Sequence, residues 1–214
     1  RRPTAEMLAP VDVLVVDLQE AGCRVYTFIT TLLYCLEEAA RHGKKVVVLD
    51  RPNPVGGTME GPFLDEGMIS FVGAFPMPLR HGMTIGELAL LFNDRGGIGA
   101  DLTVVPMKGW RRRMDFAETG LPWVPPSPNL PTAESALVYP GQVLLEGTSL
   151  SEGRGTTRPF EICGAPWVEP ERLAKALARY RLPGVIFRPL YFEPTFQKWA
   201  GKVCGGVHLH VTDP

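Results

Sequence analysis

The sequence predicts an α/β protein built around a parallel sheet and divided into two subdomains. A strand, a helix and a second strand follow one another over residues 11–50 with short connections. This order is that of a βαβ unit, whose two strands are parallel. A connector with five prolines spans residues 121–131 and marks the best boundary between subdomains. The composition, with 45% hydrophobic and 21% charged residues, is that of a globular chain.

Charge and composition exclude several classes of protein. A net charge of -1 is too weak for non-specific nucleic-acid binding, so we expect no nucleic-acid partner. No apolar run approaches the roughly 20 residues of a membrane-spanning helix. The four cysteines are too sparse for a disulfide scaffold and lack zinc-site spacing. The sequence starts at Arg1 and stops just after a predicted strand, so we expect an internal piece of a longer polypeptide.

The first βαβ unit places two acids at one edge of the sheet. Val11–Asp17 is a β-branched run typical of a strand buried on both faces, and Lys45–Asp50 repeats the pattern. Between them, apolar residues recur at helical spacing over 27–42. Asp17 and Asp50 thus follow neighbouring parallel strands, at the edge where open α/β sheets bind ligands.

The remaining elements follow from local signals. Thr84-Ile-Gly-Glu87 has capping-box spacing and opens a helix to about Asn93, in which Glu87 is most simply the capping partner of Thr84. The other predicted elements are a strand at 102–107, a short helix near 132–138, a strand at 143–145, a helix at 169–181 and extended segments near 185–192 and 205–212.

The densest polar cluster is the loop at residues 146–157. Two carboxylates, Glu146 and Glu152, lie there with Arg154, five hydroxyls and three glycines. Glycines let backbone N–H groups approach a ligand, and hydroxyls with a guanidinium suit sugars and carboxylates. The alternative is a mobile surface loop with incidental charge. The apolar residues on both sides of the loop argue against this alternative and favour an ordered loop.

Two further polar clusters follow the strand ends. The first combines an acid, an amide, a cation and an aromatic ring: Asp17, Gln19, Arg24 and Tyr26. The second contains Asp50, Arg51 and Asn53. The structural alternatives are that Asp17 caps its turn and pairs with Arg24, and that Asp50 supports Arg51.

Isolated residues give weaker signals. His208 and His210 share one face of a predicted strand, but no third metal ligand is evident at a recognisable spacing, so a solvated or cleft-lining face is favoured. His81 is equally compatible with a structural and a ligand-binding role, and Trp110 with simple packing. The sequence lacks a G-x-G-x-x-G dinucleotide fingerprint, a P-loop and a G-x-S-x-G nucleophile motif.

A series of longer motifs is similar to one known family. These motifs are D-x-Q-x-x-G-x-R-x-Y-T at 17–27, V-L-D-R-P-N-P at 48–54, E-G-P at 60–62, R-H-G-M-T-I-G-E-L-A at 80–89, P-S-P-N-x-P at 126–131, Y-P-G at 139–141, E-G-T-x-L-S-E-G-R-G-T-T at 146–157 and G-A-P-W at 164–167. Together they resemble the YbbC-like family, formerly a domain of unknown function and now associated with the exo-acting β-N-acetylmuramidase NamZ. The resemblance spans nearly the whole chain in order.

The resemblance implies both a fold and an activity. It implies a Rossmann-like subdomain, here 1–125, joined to a smaller α+β subdomain, here 126–214, with an active cleft between them. Family members release N-acetylmuramic acid from the non-reducing end of peptidoglycan-derived glycans, and are often exported. The chain lacks the family's upstream S-P-E-H-G-like motif, whose glutamate is a catalytic candidate. Position 20 is Glu where Asp is expected, and position 149 is Ser where Asn is frequent.

Glycoside cleavage requires a proton donor and a second group that stabilises or attacks the oxocarbenium-like centre. We expect Glu146 and Glu152 to be the leading carboxylates of this segment, with Asp17 third. The substrate-binding candidates are Gln19, Arg24, Tyr26, Asp50, Arg51, Asn53, His81, Ser127, Asn129, Thr148 and Arg154. Of these, Arg24, Arg51 and Arg154 are candidates for binding the lactyl carboxylate that distinguishes muramic acid from N-acetylglucosamine.

The expected partner is a peptidoglycan-derived glycan or muropeptide, without a cofactor or a metal, and the resemblance favours an extracytoplasmic location. Two other readings stay open. One is a non-catalytic muropeptide-binding protein of the same fold, which would bind the sugar without releasing a monosaccharide. The other is a Rossmann-type enzyme with a phosphorylated or nucleotide substrate, against which the missing phosphate-loop signature argues. The sequence does not give the oligomeric state or the stereochemistry of cleavage.

Overall fold

The computed structural model describes residues 2–213. The chain separates into two compact units, residues 1–121 and 122–214, called unit 1 and unit 2 below. The sequence placed the boundary at 125/126, within the proline-rich segment. The cleft expected from the family resemblance stays a prediction.

Unit 1 is an α/β unit around a parallel sheet. Its elements in chain order are α1 (Ala5–Leu8), β1 (Val13–Val16), α2 (Phe28–Arg41), β2 (Lys45–Leu49), β3 (Glu60–Phe63), β4 (Pro78–Arg80), α3 (Ile85–Arg95) and β5 (Leu102–Val105). The three-stranded sheet has the order β1-β2-β5, and both pairings are parallel. The predicted βαβ unit is therefore confirmed. Strands β3 and β4 form a separate antiparallel pair.

The core of unit 1 lies between the parallel sheet and its two long helices. Leu32 and Leu36 of α2 and Leu88 and Phe92 of α3 are fully buried in one apolar cluster with the side chains of β2. Their spacing of four residues is that of one helix face. At the start of α3, Thr84 accepts from the Glu87 N–H and Glu87 accepts from the Thr84 N–H, which confirms the predicted capping box.

Strand β1 differs from its prediction. The sequence predicted burial on both faces, yet the side chains of Val13 and Val15 are 42% and 62% exposed. Leu14 and Val16 point to the opposite face and belong to the apolar cluster beneath the helices. Successive side chains of a strand alternate between faces. Because α2 and α3 contribute to the same cluster, one face of β1 is covered and the other is not.

Unit 2 is an α+β unit with an antiparallel sheet. Its elements are α4 (Ala133–Gln142), β6 (Ile162–Ala165), α5 (Pro170–Ala178), β7 (Val185–Phe192) and β8 (Cys204–Val211). The strand order is β6-β8-β7, and both pairings are antiparallel. Helix α5 lies against one face, where a Cβ on Gly205 would come within 2.0 Å of the Val168 carbonyl oxygen. Only glycine permits this approach.

The strand expected at residues 143–145 is wrong. Val143–Gly147 is a 3₁₀ helix that continues directly from α4. Of the three apolar side chains that suggested the strand, only that of Val143 is buried, and Leu144 is 59% exposed. A short apolar run does not distinguish a strand from a helical turn.

Candidate functional site

A pocket opens at the carboxyl edge of the parallel sheet in unit 1. Its volume is about 560 Å³, and residues from the ends of β1 and β2 and from the segment 107–121 line it. Small-molecule sites in proteins span about 300–1,000 Å³. Asp17 and Arg51 line the pocket together with Trp110 and Glu118. The pocket therefore combines acids, a cation and an aromatic ring where α/β sheets bind ligands.

Asp17 and Arg51 form an ion pair in this pocket. Arg51 Nε donates to Asp17 Oδ1 at 2.5 Å, and both side chains are nearly half exposed. The hydrogen bond from Arg51 holds the pKa of Asp17 below its ordinary value, and the same bond raises the pKa of Arg51. Asp17 is therefore ionised at neutral pH, which suits a group that stabilises positive charge. Its partner is Arg51 and not Arg24, which was the structural alternative.

Asp50 uses its carboxylate inside the fold. Oδ1 accepts from the Gly86 N–H at 2.8 Å and from the Arg51 N–H at 3.1 Å, and Oδ2 accepts from Thr84 Oγ1 at 3.0 Å. The carboxylate thus lies at the N-terminus of α3, where backbone N–H groups favour an anion. Asp50 also lines the pocket, a position from which a bound ligand is within reach. Its contact with a ligand stays a prediction.

Two amides hold the loops around the strand ends. Gln19 Nε2 donates to the carbonyl oxygens of Glu20 and Pro52, each at 2.9 Å. Asn53 is buried; its Oδ1 accepts from the Val55 N–H at 3.0 Å and its Nδ2 donates to the Met83 carbonyl at 2.9 Å. These contacts position the loops, and neither side chain lines the pocket.

Arg24 and Tyr26 are also buried. The Arg24 guanidinium donates to the carbonyl oxygens of Pro62, at 2.8 Å, and Met77. Burial raises the pKa of Tyr26 to about 12, with a further contribution from the charge of Glu20. Arg24 thus ties the chain after β1 to the β3–β4 region, and both groups lie outside the pocket lining.

His81 lies beside Glu20, the position at which the sequence has Glu where the family pattern has Asp. Glu20 and His81 are fully buried, and His81 Nε2 lies 3.3 Å from Glu20 Oε2. His81 Nδ1 accepts from the Met83 N–H at 3.1 Å, which leaves the proton of a neutral ring on Nε2. The pair is close but not aligned as a hydrogen bond, and Glu20 Oε1 has no hydrogen-bond partner within residues 2–213.

In unit 2 the loop at 146–157 brings its two acids around one arginine. Arg154 Nη2 donates to Glu146 Oε1 at 2.7 Å, and Arg154 Nε lies 3.4 Å from Glu152 Oε1. Lys198 Nζ lies 3.2 Å from Glu152 Oε2 and also donates to the carbonyl oxygens of Leu145 and Leu150. Glu152 is buried between the two cations, whereas Glu146 is substantially exposed.

The loop itself is packed. Ser151 and Glu152 are buried, and Ser151 exchanges two backbone hydrogen bonds with Gly164 of β6. Gly153 has a φ of +80°, and a Cβ there would meet the Ile162 carbonyl oxygen at 2.7 Å. Thr148 Oγ1 donates to the Leu145 carbonyl and accepts from the Leu150 N–H, so it stabilises a turn. The alternative of a loop without fixed structure is therefore not supported.

Ser127 and Asn129 belong to the start of unit 2. Ser127 Oγ accepts from the Asn129 N–H at 3.3 Å, and both residues are half-buried. They stabilise the bend that leads to buried Leu130. Nothing in these contacts tests the predicted role in sugar binding, which stays a prediction.

Two side chains of the candidate sites were not predicted from the sequence. Lys198 reaches Glu152 across 46 residues, and no local motif announces such a pairing. Trp110 was interpreted as a packing residue, although it lines the pocket in unit 1. Its position three residues after the strand predicted at 102–107, directly before three arginines, was the available signal. Within the described chain, no group of three or more His, Cys, Asp or Glu side chains could hold a metal ion.

Comparison with known protein families identifies the family of the chain. Residues 1–134 match the N-terminal model of exo-β-N-acetylmuramidase NamZ, and residues 137–214 match the C-terminal model. The chain belongs to the NamZ family. The resemblance that the sequence motifs suggested is therefore confirmed.

Relatives in the NamZ family are similar along the whole chain. A peptidoglycan β-N-acetylmuramidase NamZ of Bacillus subtilis (strain 168) is 56% identical over 214 residues, which are 100% of this chain and 52% of the relative. A DUF1343 family protein of Bacteroides fragilis NCTC 9343 has a TM-score of 0.93 and 45% identity, over 99% of this chain and 56% of that one. A second from the same organism has a TM-score of 0.79 and 33% identity, over 96% and 55%. The chain thus spans about half the length of these NamZ-family relatives.

Proposed function

We propose that the chain is part of a glycoside hydrolase that releases N-acetylmuramic acid from the non-reducing end of peptidoglycan fragments. The observation that carries the proposal is the 56% identity, over all 214 residues, to a protein named as a peptidoglycan β-N-acetylmuramidase. The pocket of unit 1 supports it, because acids, a cation and an aromatic ring line a space in the small-molecule range.

Asp17 suits one of the two roles that glycoside cleavage requires. The transition state carries positive charge on the sugar ring, and a carboxylate that remains ionised stabilises or attacks that centre. Arg51 keeps Asp17 ionised and fixes its orientation. A proton donor must be protonated before the reaction, so Asp17 is unsuited to that second role. We infer that Asp17 is the stabilising carboxylate of the pocket.

Glu146 is the more available of the two candidate carboxylates in unit 2. Both oxygens of Glu152 lie beside cations, Arg154 and Lys198, and the side chain is buried. Glu146 has substantial exposure, and within the described residues its hydrogen bonds with Arg154 use Oε1. We infer that Glu146 can meet a substrate without rearrangement, whereas Glu152 orients Arg154.

The test uses the longest natural form of the protein and a chromogenic β-glycoside of N-acetylmuramic acid. Asp17→Asn, Glu146→Gln and Glu152→Gln should each lower kcat, with about a 10²- to 10⁴-fold loss for a group in proton transfer or charge stabilisation. The control is Asp101→Asn, which removes an exposed acid next to β5 and should leave kcat unchanged. If all three variants keep near-normal kcat, these assignments are wrong.

The second candidate function is a muropeptide-binding protein without catalysis. One observation favours it: Asp17, Glu146 and Glu152 each have a basic partner within 3.5 Å, so all three carboxylates are already engaged in ion pairs within the fold. Incubation with a muramic-acid-terminated disaccharide separates the two functions, since binding without release of the monosaccharide supports this candidate.

An extracytoplasmic location stays a prediction, which fractionation of producing cells would test. No helix among residues 2–213 has the length and hydrophobicity that crossing a membrane requires.

A further inference from the structure

The antiparallel sheet of unit 2 forms part of a second groove, of about 690 Å³. Ile162 of β6 and Leu190 and Phe192 of β7 give this groove an apolar lining. Three of the described basic side chains line the same groove: Arg158, Arg188 of β7 and His208 of β8. The groove thus suits a ligand with a polar group and an apolar body.

Two histidines hold Arg188 in place. Strands β7 and β8 place Arg188 directly opposite His208. Arg188 Nη2 lies 3.2 Å from His208 Nδ1, and Arg188 Nε donates to His210 Nε2 at 3.3 Å. The two rings lie 3.9 Å apart between centroids. The predicted sharing of one strand face is confirmed, and the shared face contacts a guanidinium.

The histidines orient Arg188 without neutralising it. Burial, followed by the charge of His210, lowers the pKa of His208, while the hydrogen bond and charge of Glu161 act in the opposite direction. A neutral His208 accepts from Arg188 through Nδ1 and directs its Nε2 proton towards Glu161, 3.5 Å away. A neutral imidazole accepts a hydrogen bond without forming an ion pair, so it does not offset the charge of the guanidinium.

Arg188 differs from the other guanidinium of the groove. Arg158 Nη1 lies 3.2 Å from Glu161 Oε2, whereas Arg188 forms no ion pair with an acid of the described chain. Among residues 2–213, Glu193 is the one acid in the groove lining, and it forms no ion pair with Arg188. A guanidinium has five N–H donors, and two of those of Arg188 face the histidines. The remaining donors form a fork that matches a carboxylate.

We propose that Arg188 binds a carboxylate of the ligand, whose neighbouring C–H groups lie against Ile162, Leu190 and Phe192. The inference rests on the proposed function for the identity of that ligand. In peptidoglycan fragments the carboxylate comes from the lactyl group of muramic acid or from a stem peptide attached to it. This assignment differs from the sequence prediction, because Arg24, Arg51 and Arg154 all use their guanidinium groups on partners within the fold.

The test measures binding by calorimetry to the longest natural form of the protein, with a catalytically inactive Asp17→Asn background. Arg188→Gln should weaken binding of an N-acetylmuramic acid disaccharide about 10- to 100-fold, which is the usual effect of losing a charge-assisted hydrogen bond. It should leave unchanged the weaker binding of the matched disaccharide that carries N-acetylglucosamine at the same position. Arg188→Lys should give a smaller loss than Arg188→Gln, because the charge remains and the fork is lost.

The matched control is Arg172→Gln, which removes the same charge from the exposed surface of α5. It should bind both disaccharides as the parent does. Thermal unfolding checks that all variants fold. Equal affinity of the parent and Arg188→Gln for both the free muramic-acid ligand and a muropeptide would overturn the inference, and so would an equal loss for the muramic-acid disaccharide and the N-acetylglucosamine disaccharide.

A muropeptide, in which an amide blocks the lactyl carboxylate, separates the two sources of the anion. A loss confined to the free muramic acid identifies the lactyl group, and a loss confined to the muropeptide identifies the stem peptide; either supports the inference.

The proposed function and the inference about Arg188 are contradicted by different results. A protein that binds carboxylate ligands through Arg188 but releases no sugar contradicts the proposed function alone. If the Arg188→Gln variant hydrolyses both the free muramic-acid substrate and the muropeptide with parental kcat and KM, the inference alone is contradicted.

Discussion

The two units bury a glutamate in opposite ways. In unit 1, Glu20 lies beside the ring of His81 and accepts from the Gly22 N–H, and none of the described Lys or Arg side chains pairs with it. In unit 2, Glu152 has Arg154 on one oxygen and Lys198 on the other. Both acids are at most 2% exposed. Equal burial therefore does not imply an equal dependence on charge.

This contrast teaches what each carboxylate contributes. A buried charge is tolerated when partners offset its desolvation, and removing its charge costs most where those partners are ions. Glu152 contributes by its charge, since without it Lys198 would lose its counterion and Arg154 would keep only Glu146. Glu20 contributes mainly as a hydrogen-bond acceptor of the right shape. The same Glu→Gln change at both positions tests this directly.

The largest effect is expected at Glu152. Glu152→Gln keeps the shape but leaves Lys198 and Arg154 without the charge they face, so it should lower the free energy of unfolding by about 2–3 kcal/mol. Urea unfolding measures this loss. Lys175→Met on exposed α5 is the control for a simple change of charge and should have little effect. A cost below about 1 kcal/mol would show that the cations do not depend on Glu152.

A smaller effect is expected at Glu20. Glu20→Gln retains a carbonyl oxygen for the Gly22 N–H and should change the free energy of unfolding by about 1 kcal/mol or less. Glu20→Leu fills the same space without an acceptor, leaves the Gly22 N–H unsatisfied, and should cost about 1–3 kcal/mol. Should Gln prove as costly as Leu, the charge of Glu20 would matter as much as that of Glu152, and the contrast between the units would fail.

The smallest effect concerns the exposed pair in unit 1. Because the pKa of Asp17 is lowered, its contribution to stability is present above its unfolded value of 3.8 and is lost as pH falls through the folded value. Both side chains are more than a third exposed, so solvent screening limits this contribution to about 0.5 kcal/mol. Carboxyl NMR titration should show the pKa of Asp17 returning towards 3.8 in Arg51→Met. An unchanged titration in that variant would mean that Arg51 is not the cause.

Local signals in the sequence predicted much of unit 1. The βαβ unit, the capping box of Thr84 and Glu87, and the placement of Asp17 and Asp50 after parallel strands all depend on neighbouring residues. The sequence also identified the loop at 146–157, which contains Glu146, Glu152 and Arg154, as the densest polar cluster. It misjudged residues 143–145, because three apolar side chains carry no periodicity long enough to separate a strand from a helical turn.

What the sequence alone determined is the type of the long helices and of the parallel strands, and the family to which the chain belongs, since these depend on short patterns read in order. Only the tertiary structure decided which charged groups keep a partner. It brought Lys198 to Glu152 and Arg51 to Asp17, and it placed Arg188 between two histidines instead of beside an acid. The physical reason is that a charged side chain pairs with an oppositely charged or hydrogen-bonding group only when folding brings the two within about 4 Å. For residues tens of positions apart, the spacing in the sequence does not determine that distance.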